Sequence, residues 1–589
     1  MKKGISPVVA TALLLVVAVV AVVGFNTWFS AYESKTLTGV EQQGGSGSGI
    51  PQVDSVIGSS LYIKNPSTTS LNVTSVKIAG KTCANSATVA SKGITPVNVS
   101  SCLSNLTTGQ VYDAVIVTNQ GTYSKKFYVK SSSSTSSSFS VPTPALTPVY
   151  VKTLQGSSDE RFFMAVEDSS GNIYATGSSQ SPYIDLGNGF NFTQIASEDI
   201  FLIKYNSSGS VIWRKIFGNS NQDYPSSIQV DSFGNVYLSG TSQIGGLDFG
   251  NGVTTPSQGT FVTKFNPSGV AQWVKRIITA GFSIINSMRL DSANNIYIGG
   301  NYGNTLDFGN GVTISVLSGG SDGFIAKYNS SGSAIWANYF GGTGNDYVNG
   351  IAVSSTGNIA VAAQYTGGTI TNFGNNLSVI ASSAYDSLFI VYNSSGSAKW
   401  VKSINNAPNN EAGVAAVFDS SNNAYFTGIY SSATNVSLGN GVILKNATNL
   451  NMYLIKYNQL GVAQWAKYIS STGYSGGDWL AKDSADNIYL SGQYASNNVF
   501  NLGNNVVLNA SSSASLFLLK FNSLGVAQSF NRIKPSVQVG GSYTYVSPDN
   551  ARIYLLGAYR SGSIITIENG LTIPISMLGT NDLVLVKYQ

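Results

Sequence analysis

The chain has 589 residues, of which 42% are hydrophobic and 10% charged, with a formal net charge of +5. Charged residues in soluble domains run at about 25%, so ions play an unusually small part in this sequence. It has no histidine, which excludes imidazole as base, proton shuttle or metal ligand and with it most hydrolase triads. Nor is there a Gly-rich phosphate loop, a Cys cluster or an Asp-x-Asp-x-Asp calcium loop, so no catalytic residue, cofactor or metal ligand is expected.

Residues 1–4, Met1-Lys2-Lys3-Gly4, form a short basic leader, and no charged residue occurs from Ile5 to Tyr32. As a helix that uncharged stretch would span roughly 40 Å at about 1.5 Å per residue, enough to cross a bilayer. The basic leader should stay cytoplasmic and everything after Tyr32 should lie outside. Lys2-Lys3-Gly4 followed by Ile5-Ser-Pro-Val-Val-Ala-Thr resembles the class III signal of archaeal type IV pilins. That resemblance implies a prepilin peptidase cutting between Gly4 and Ile5 and an apolar helix, residues 5–42, retained on the mature protein. Val9 stands where bacterial pilins carry Glu, which fits the archaeal members. The small residues Ala10, Ala18, Ala21 and Gly24 would let such helices approach closely in a filament core. An uncleaved signal anchor, or a secretory signal cut near Ala31, is the plainer alternative, the latter disfavoured by Phe29.

Residues 43–50 are a Gly/Ser linker, and residues 131–148, rich in Ser and Thr and closing on Pro142, Pro144 and Pro148, form a stiffer stalk. Between them residues 51–130 read as strands, including Leu61 to Lys64, Leu71 to Ile78, Ala114 to Thr118 and Lys126 to Lys130. An Ig-like β-sandwich fits. Helix followed by small sandwich is similar to the mature part of archaeal pilins. The only cysteines, Cys83 and Cys102, both fall here. Outside the cell a disulfide is expected, worth ~3 kcal/mol by loop closure, with two buried free thiols as the alternative.

From residue 149 to the end one pattern repeats seven times at intervals of about 60–65 residues. One column holds Tyr174, Tyr237, Tyr297, Tyr425, Tyr489 and Tyr554 with a gap at Ala360; a second holds Trp213, Trp273, Trp336, Trp400 and Trp465, with Tyr150 and Ser529 at its ends. Each unit reads as four strands, in the second copy Ser227 to Asp231, Asn235 to Gly240, Thr260 to Phe265 and Ala271 to Lys275, and units too small to bury their own faces must stack on neighbours. The last unit stops at Tyr588, lacking its fourth strand, and the strand at Tyr150 has no unit before it. A seven-bladed β-propeller closed by pairing these two is expected, which removes open sheet edges. Asp231 to Gly240, the recurring Leu-Asp-Phe-Gly-Asn-Gly at 247–252 and 306–311, and Lys-Tyr-Asn-Ser-Ser-Gly-Ser-x-x-Trp resemble the SBBP-type β-propeller repeat. That family implies an architecture and a frequent surface location but no catalytic residues.

The fold class expected is therefore mainly β: a hydrophobic helix, a small sandwich and a propeller. The single Asp of each repeat turn, Asp168, Asp231, Asp291, Asp419 and Asp483, reads as a turn cap rather than a cation ligand. Lys204, Lys264, Lys327, Lys456 and Lys520 spread the positive charge around the ring, so no nucleic-acid partner is expected. Asn-x-Ser/Thr sequons at Asn72, Asn98, Asn105, Asn191 and Asn446 are candidate N-glycosylation sites. The function expected is a structural or adhesive subunit of an extracellular pilus-like filament, a homopolymer joined through its N-terminal helix, membrane-anchored before assembly and displaying the propeller to a surface protein or glycan. The alternative is a monomeric membrane-anchored receptor. An enzyme working in the propeller channel would need clustered acids, which the sequence does not display.

Overall fold

The computed structural model describes the chain from Gln52 to Tyr588, apart from residues 104–110, 129–147 and shorter loop stretches. The leader, the apolar segment 5–42 and the linker 43–50 lie outside the described residues, and so does most of the stalk. Among the described residues no helix is long and apolar enough to cross a membrane. The protein is mainly β, and its contacts divide it into two units, Met1–Ser137 and Ser138–Gln589.

In the first unit, Gln52–Ile57, Ser60–Lys64 and Ile94–Asn98 form one sheet. Lys81–Ala84, Leu71–Ile78, Val111–Thr118 and Gly121–Tyr128 form a second, with Ala87–Val89 added to Leu71–Ile78. Ile63 and Val97 of the first sheet and Leu71, Val73, Val76, Ile78, Val89, Ala114 and Ile116 of the second make one buried cluster. Simple alternation would bury Val73 and Ser75. A register shift between them instead turns Val76 inward, and a bulge is the ordinary way a strand re-aims its side chains. Cys83 and Cys102 form a disulfide with Cα atoms 5.3 Å apart, Cys102 lying on a single helical turn, Ser100–Leu103.

The second unit holds seven antiparallel sheets built on four strands each among the described residues, three of them extended to six strands by an added hairpin. The second runs Asp223–Val230, Val236–Ser242, Gly259–Phe265 and Ala271–Thr279, so its strands are longer than the sequence pattern shows. The seventh contains Val539–Val546, Ile553–Arg560 and Asn581–Tyr588 and is completed by Pro148–Gly156, which comes from the other end of the unit. In that ladder Tyr150 stands opposite Lys587 and Pro148 opposite Tyr588. The first strand of each sheet packs on the first strand of the next, and Glu160–Glu167 packs on Val539–Val546, so the sheets close a ring with their first strands around its axis.

Stacking explains the burial. The second strands Ile173–Ser179 and Ile296–Tyr302 are buried at every position because neighbouring sheets cover both faces. Apolar clusters accordingly cross sheet boundaries, as where Tyr237 and Val262 join Met288, Ile296 and Phe324. A further tie was unreadable from the repeat. The hairpins built on Tyr183–Gly187, Leu306–Asp307 and Ile564–Ile567 pair with the fourth strand of the preceding sheet rather than with their own.

Candidate functional site

At one end of the sheets the repeat residues converge on the turn Asp. Asp231 Oδ1 accepts the amides of Phe233 and Asn235, while Oδ2 accepts Asn235 Nδ2 at 2.9 Å and the Tyr237 hydroxyl at 3.1 Å. Asp168, Asp291, Asp419 and Asp483 make the same four bonds, the turn capping that an Asp in this position favours. Burial, reinforced by the adjacent Asp, raises the tyrosine hydroxyls of Tyr174, Tyr237, Tyr297, Tyr425 and Tyr489 far above their usual range, so each remains a donor. Above each ring sits the repeat lysine, with Lys264 Nζ 4.9 Å from the Tyr237 centroid and Lys456 both over Tyr425 and 3.1 Å from Asp419. These lysines, spread around the ring, are therefore partly buried ties. In the fourth sheet Ser354, Ala360 and Val391 stand in place of Asp, Tyr and Lys.

The same residues reach the next sheet. Trp213 Nε1 and Lys204 Nζ both donate to the carbonyl of Pro267, and Trp465 and Lys456 likewise to Ser523. In each such turn a glycine at positive φ makes room for the indole. A Cβ on Gly269, at φ 78°, would sit 3.1 Å from the Trp213 ring. Gly269→Ala should thus lower stability by about 2 kcal/mol, combining left-handed strain with indole displacement. Gly245→Ala, at φ 80° with open space around it, should cost roughly half that. Equal losses in denaturant midpoint would show that the indole contact contributes nothing.

At the opposite end of the same strands lie further acids. Asp199 of the first sheet neighbours Asp223 of the second, Asp322 of the third neighbours Asp346 of the fourth, and Asp386 of the fourth neighbours Glu411 of the fifth. All six are fully buried. The strands are held together there by Asp223 N to Glu198 O, Asp346 N to Ser321 O and Glu411 N to Tyr385 O. Burial, with the facing carboxylate adding to it, pushes Asp223 up to about 6, Asp346 to about 7 and Glu411 to about 9. Asp223 is served by Asn219 N and Nδ2, and Asp346 by the amides of Gly342 and Thr366, whereas neither oxygen of Glu411 meets a hydrogen-bond donor among the described residues. Glu411 thus keeps its proton at neutral pH. At the second boundary Gly259 stands at the Asp199 position and Ser283 at the Asp223 position, and Ser283 Oγ donates to the adjacent Thr260 Oγ1 at 3.0 Å. These acids are enclosed between sheets, not gathered in an open cleft, and no group of three or more metal-ligating residues occurs among the described residues.

The sequence-derived site residues fall in separate places. Lys2, Lys3, Gly4, Ile5, Ala10, Ala18, Ala21, Gly24 and Asn105 lie outside the described residues. Asn72 is exposed, with its Oδ1 accepting Thr88 Oγ1; Asn446 is exposed, Asn191 is half-buried, and Asn98 ends the strand Ile94–Asn98. The Asp-Phe-Gly segment at 248–250 is a turn in which Asp248 caps Gly250 and Phe249 packs on Phe217 and Phe261.

Residues 212–248 match the family model of a β-propeller repeat, named SBBP. A curated relative, an uncharacterised WD repeat-containing protein of Acanthamoeba polyphaga mimivirus, is 30% identical over 174 residues, covering 26% of this chain and only 12% of that protein. Among solved structures the chain is similar to a protein of unknown function from Dyadobacter fermentans, at TM-score 0.33 and 9% identity, covering 76% of this chain and 100% of that one. An apocarotenoid oxygenase mutant from Synechocystis gives TM-score 0.34 and 9% identity over 72% of this chain and 95% of that one. A protein from Bacteroides ovatus described as a dipeptidyl aminopeptidase IV gives 0.27 and 12% over 74% and 62%. Likenesses this weak carry neither fold nor activity across; the repeat match at 212–248 is what the comparisons add, a mainly β chain containing a β-propeller repeat.

Proposed function

We propose that the protein is a pilin-like subunit of an extracellular filament, with an Ig-like sandwich and a seven-bladed β-propeller closed by Pro148–Gly156 displayed for adhesion. The observation that carries this reading is the coupling of Lys2-Lys3-Gly4-Ile5 to an uncharged stretch reaching Tyr32. A disulfide in the small unit supports an oxidising, extracellular setting. Turns and loops of Asn, Ser, Gly and Tyr suit adaptable contact with a protein or glycan. The buried acids serve the ring rather than a reaction.

The mature protein should begin at Ile5 when surface-extracted material is analysed by mass spectrometry; a start at Met1, or beyond Ala31, would defeat the prepilin-type signal. Polymerisation is tested by Ala18→Phe and Gly24→Phe, which keep the segment apolar but obstruct close helix approach. Filaments seen for wild type and lost in these variants, with membrane insertion unchanged, support the subunit. Normal insertion without filaments in any form would leave the tethered receptor instead.

A further inference from the structure

The ring's axis is crossed by two residues that break their own columns. Arg289 and Trp479 lie on the first strands of the third and sixth sheets, three sheets apart in a ring of seven, yet the Arg289 guanidinium stands 4.8 Å from the Trp479 ring centroid. Only an approach across the axis can bring them together. Trp479 also packs on the cluster containing Met164, Val166 and Ile228 of the first two sheets, as a side chain reaching over the axis must. In strand register Trp479 corresponds to Met164, Ser227, Ser287, Gly350 and Ala415, and Arg289 to Val166, Gln229, Ala352, Val417 and Ala481. Elsewhere in each column the described residues are neutral and smaller than these two.

Arg289 donates one hydrogen bond from a terminal nitrogen to the carbonyl of Met288, at 2.7 Å. No ion pair to it is found among the described residues. Its enclosure lowers its pKa to about 10, while the residue as a whole is half-buried. A half-buried guanidinium with no carboxylate partner among the described residues is electrostatically incomplete, because a partner there is screened less than at an open surface.

We propose that this axial space binds the carboxylate of a small ligand, with Arg289 as the anion fork and Trp479 as a flat wall. One planar guanidinium matches one planar monoanion in both charge and geometry. A phosphate dianion would need further donors than the one guanidinium supplies. Two sources of carboxylate fit, a simple organic acid or the uronate of an acidic sugar, whose ring could lie on the indole.

The test uses the full chain, with acetate, glucuronate and neutral glucose as probes at fixed ionic strength and chloride and sulfate as controls. The readout is indole fluorescence, taken as the difference between wild type and Trp479→Phe. Wild type should show a saturable change with acetate or glucuronate, with a midpoint at least tenfold weaker in Arg289→Met. Tighter binding of glucuronate than of acetate would assign the uronate, and equal binding the simple acid. Arg289→Met should fold, since an apolar side chain replaces an unpaired charge; if it does not, Arg289→Lys keeps the charge without the fork and should still weaken binding. No saturable response, an unchanged midpoint in the Arg289 variants, or equal midpoints with sulfate would overturn the proposal.

Discussion

Deleting Val149 to Thr153 should lower the thermal midpoint of the second unit by on the order of 10 °C, while deleting Ser132 to Ser136 should move it by no more than about 2 °C. The first deletion removes most of the ladder in which Lys587 pairs with Tyr150, Val586 with Val151, Leu585 with Lys152 and Val584 with Thr153. At roughly 1 kcal/mol for each lost backbone bond the direct effect is several kcal/mol. Asn581–Tyr588 is also left with an open edge, so the truncated protein should aggregate more readily. Calorimetry on the two deletions decides the matter. Equal midpoints would mean that Pro148–Gly156 is attached to the ring without closing it.

The buried acid pairs set the second large effect, a loss of stability as pH rises. In the unfolded chain these carboxyls titrate near 4. Folded, Asp223, Asp346 and Glu411 hold their protons to about 6, 7 and 9. The folded state therefore binds more protons throughout that window, and the stability these groups contribute is complete below about pH 4 and falls as each folded pKa is passed. Holding a proton to a pH ten times less acidic is worth about 1.4 kcal/mol, so the summed loss from pH 5 to pH 9 is on the order of several kcal/mol. Glu411 is faced by Asp386 and lies near Tyr365, Tyr430 and Tyr453, none of which supplies a cation. Glu411→Gln mimics its neutral form and should flatten the profile between pH 7 and 9 while leaving the midpoint at pH 5 nearly unchanged. A wild-type midpoint that does not fall from pH 5 to 9, or a Glu411→Gln profile as steep as that of wild type, would contradict this account.

The part of the ring legible in the sequence is the part written in identical residues. Tyr174, Tyr237 and Tyr297 recur because each meets an Asp on its own turn, so one local rule is repeated in register, and the missing fourth strand followed from counting. The acid pairs escaped notice because each joins residues of two successive repeats, Asp199 with Asp223 and Asp386 with Glu411. Asp does recur at the Asp199 position, in Asp322, Asp386 and Asp582, and an acid at the Asp223 position, in Glu160, Asp346 and Glu411, but Gly259 and Ser283 break these columns. Arg289 and Trp479 were harder still, being 190 positions apart and meaningful only once closure sets the third sheet opposite the sixth. The hairpins at Leu306–Asp307 and Ile564–Ile567 are not visible in the repeat because their pairing partners belong to the previous sheet.

The seam at Pro148–Gly156 also governs how the molecule would bear tension. A pull transmitted along the chain from residues before Pro148 enters the ring at the Pro148–Tyr588 end of the ladder, on the strand that fastens it. The load meets one ladder before it meets any other sheet. At the far end, Gln155 and Gly156 are gripped by Asp185 and Ile184, so peeling that starts at Pro148 runs toward a second anchorage instead of a free end. The force needed to open the ring is then set by this one strand's two attachments, however stable the six sheets that form without it.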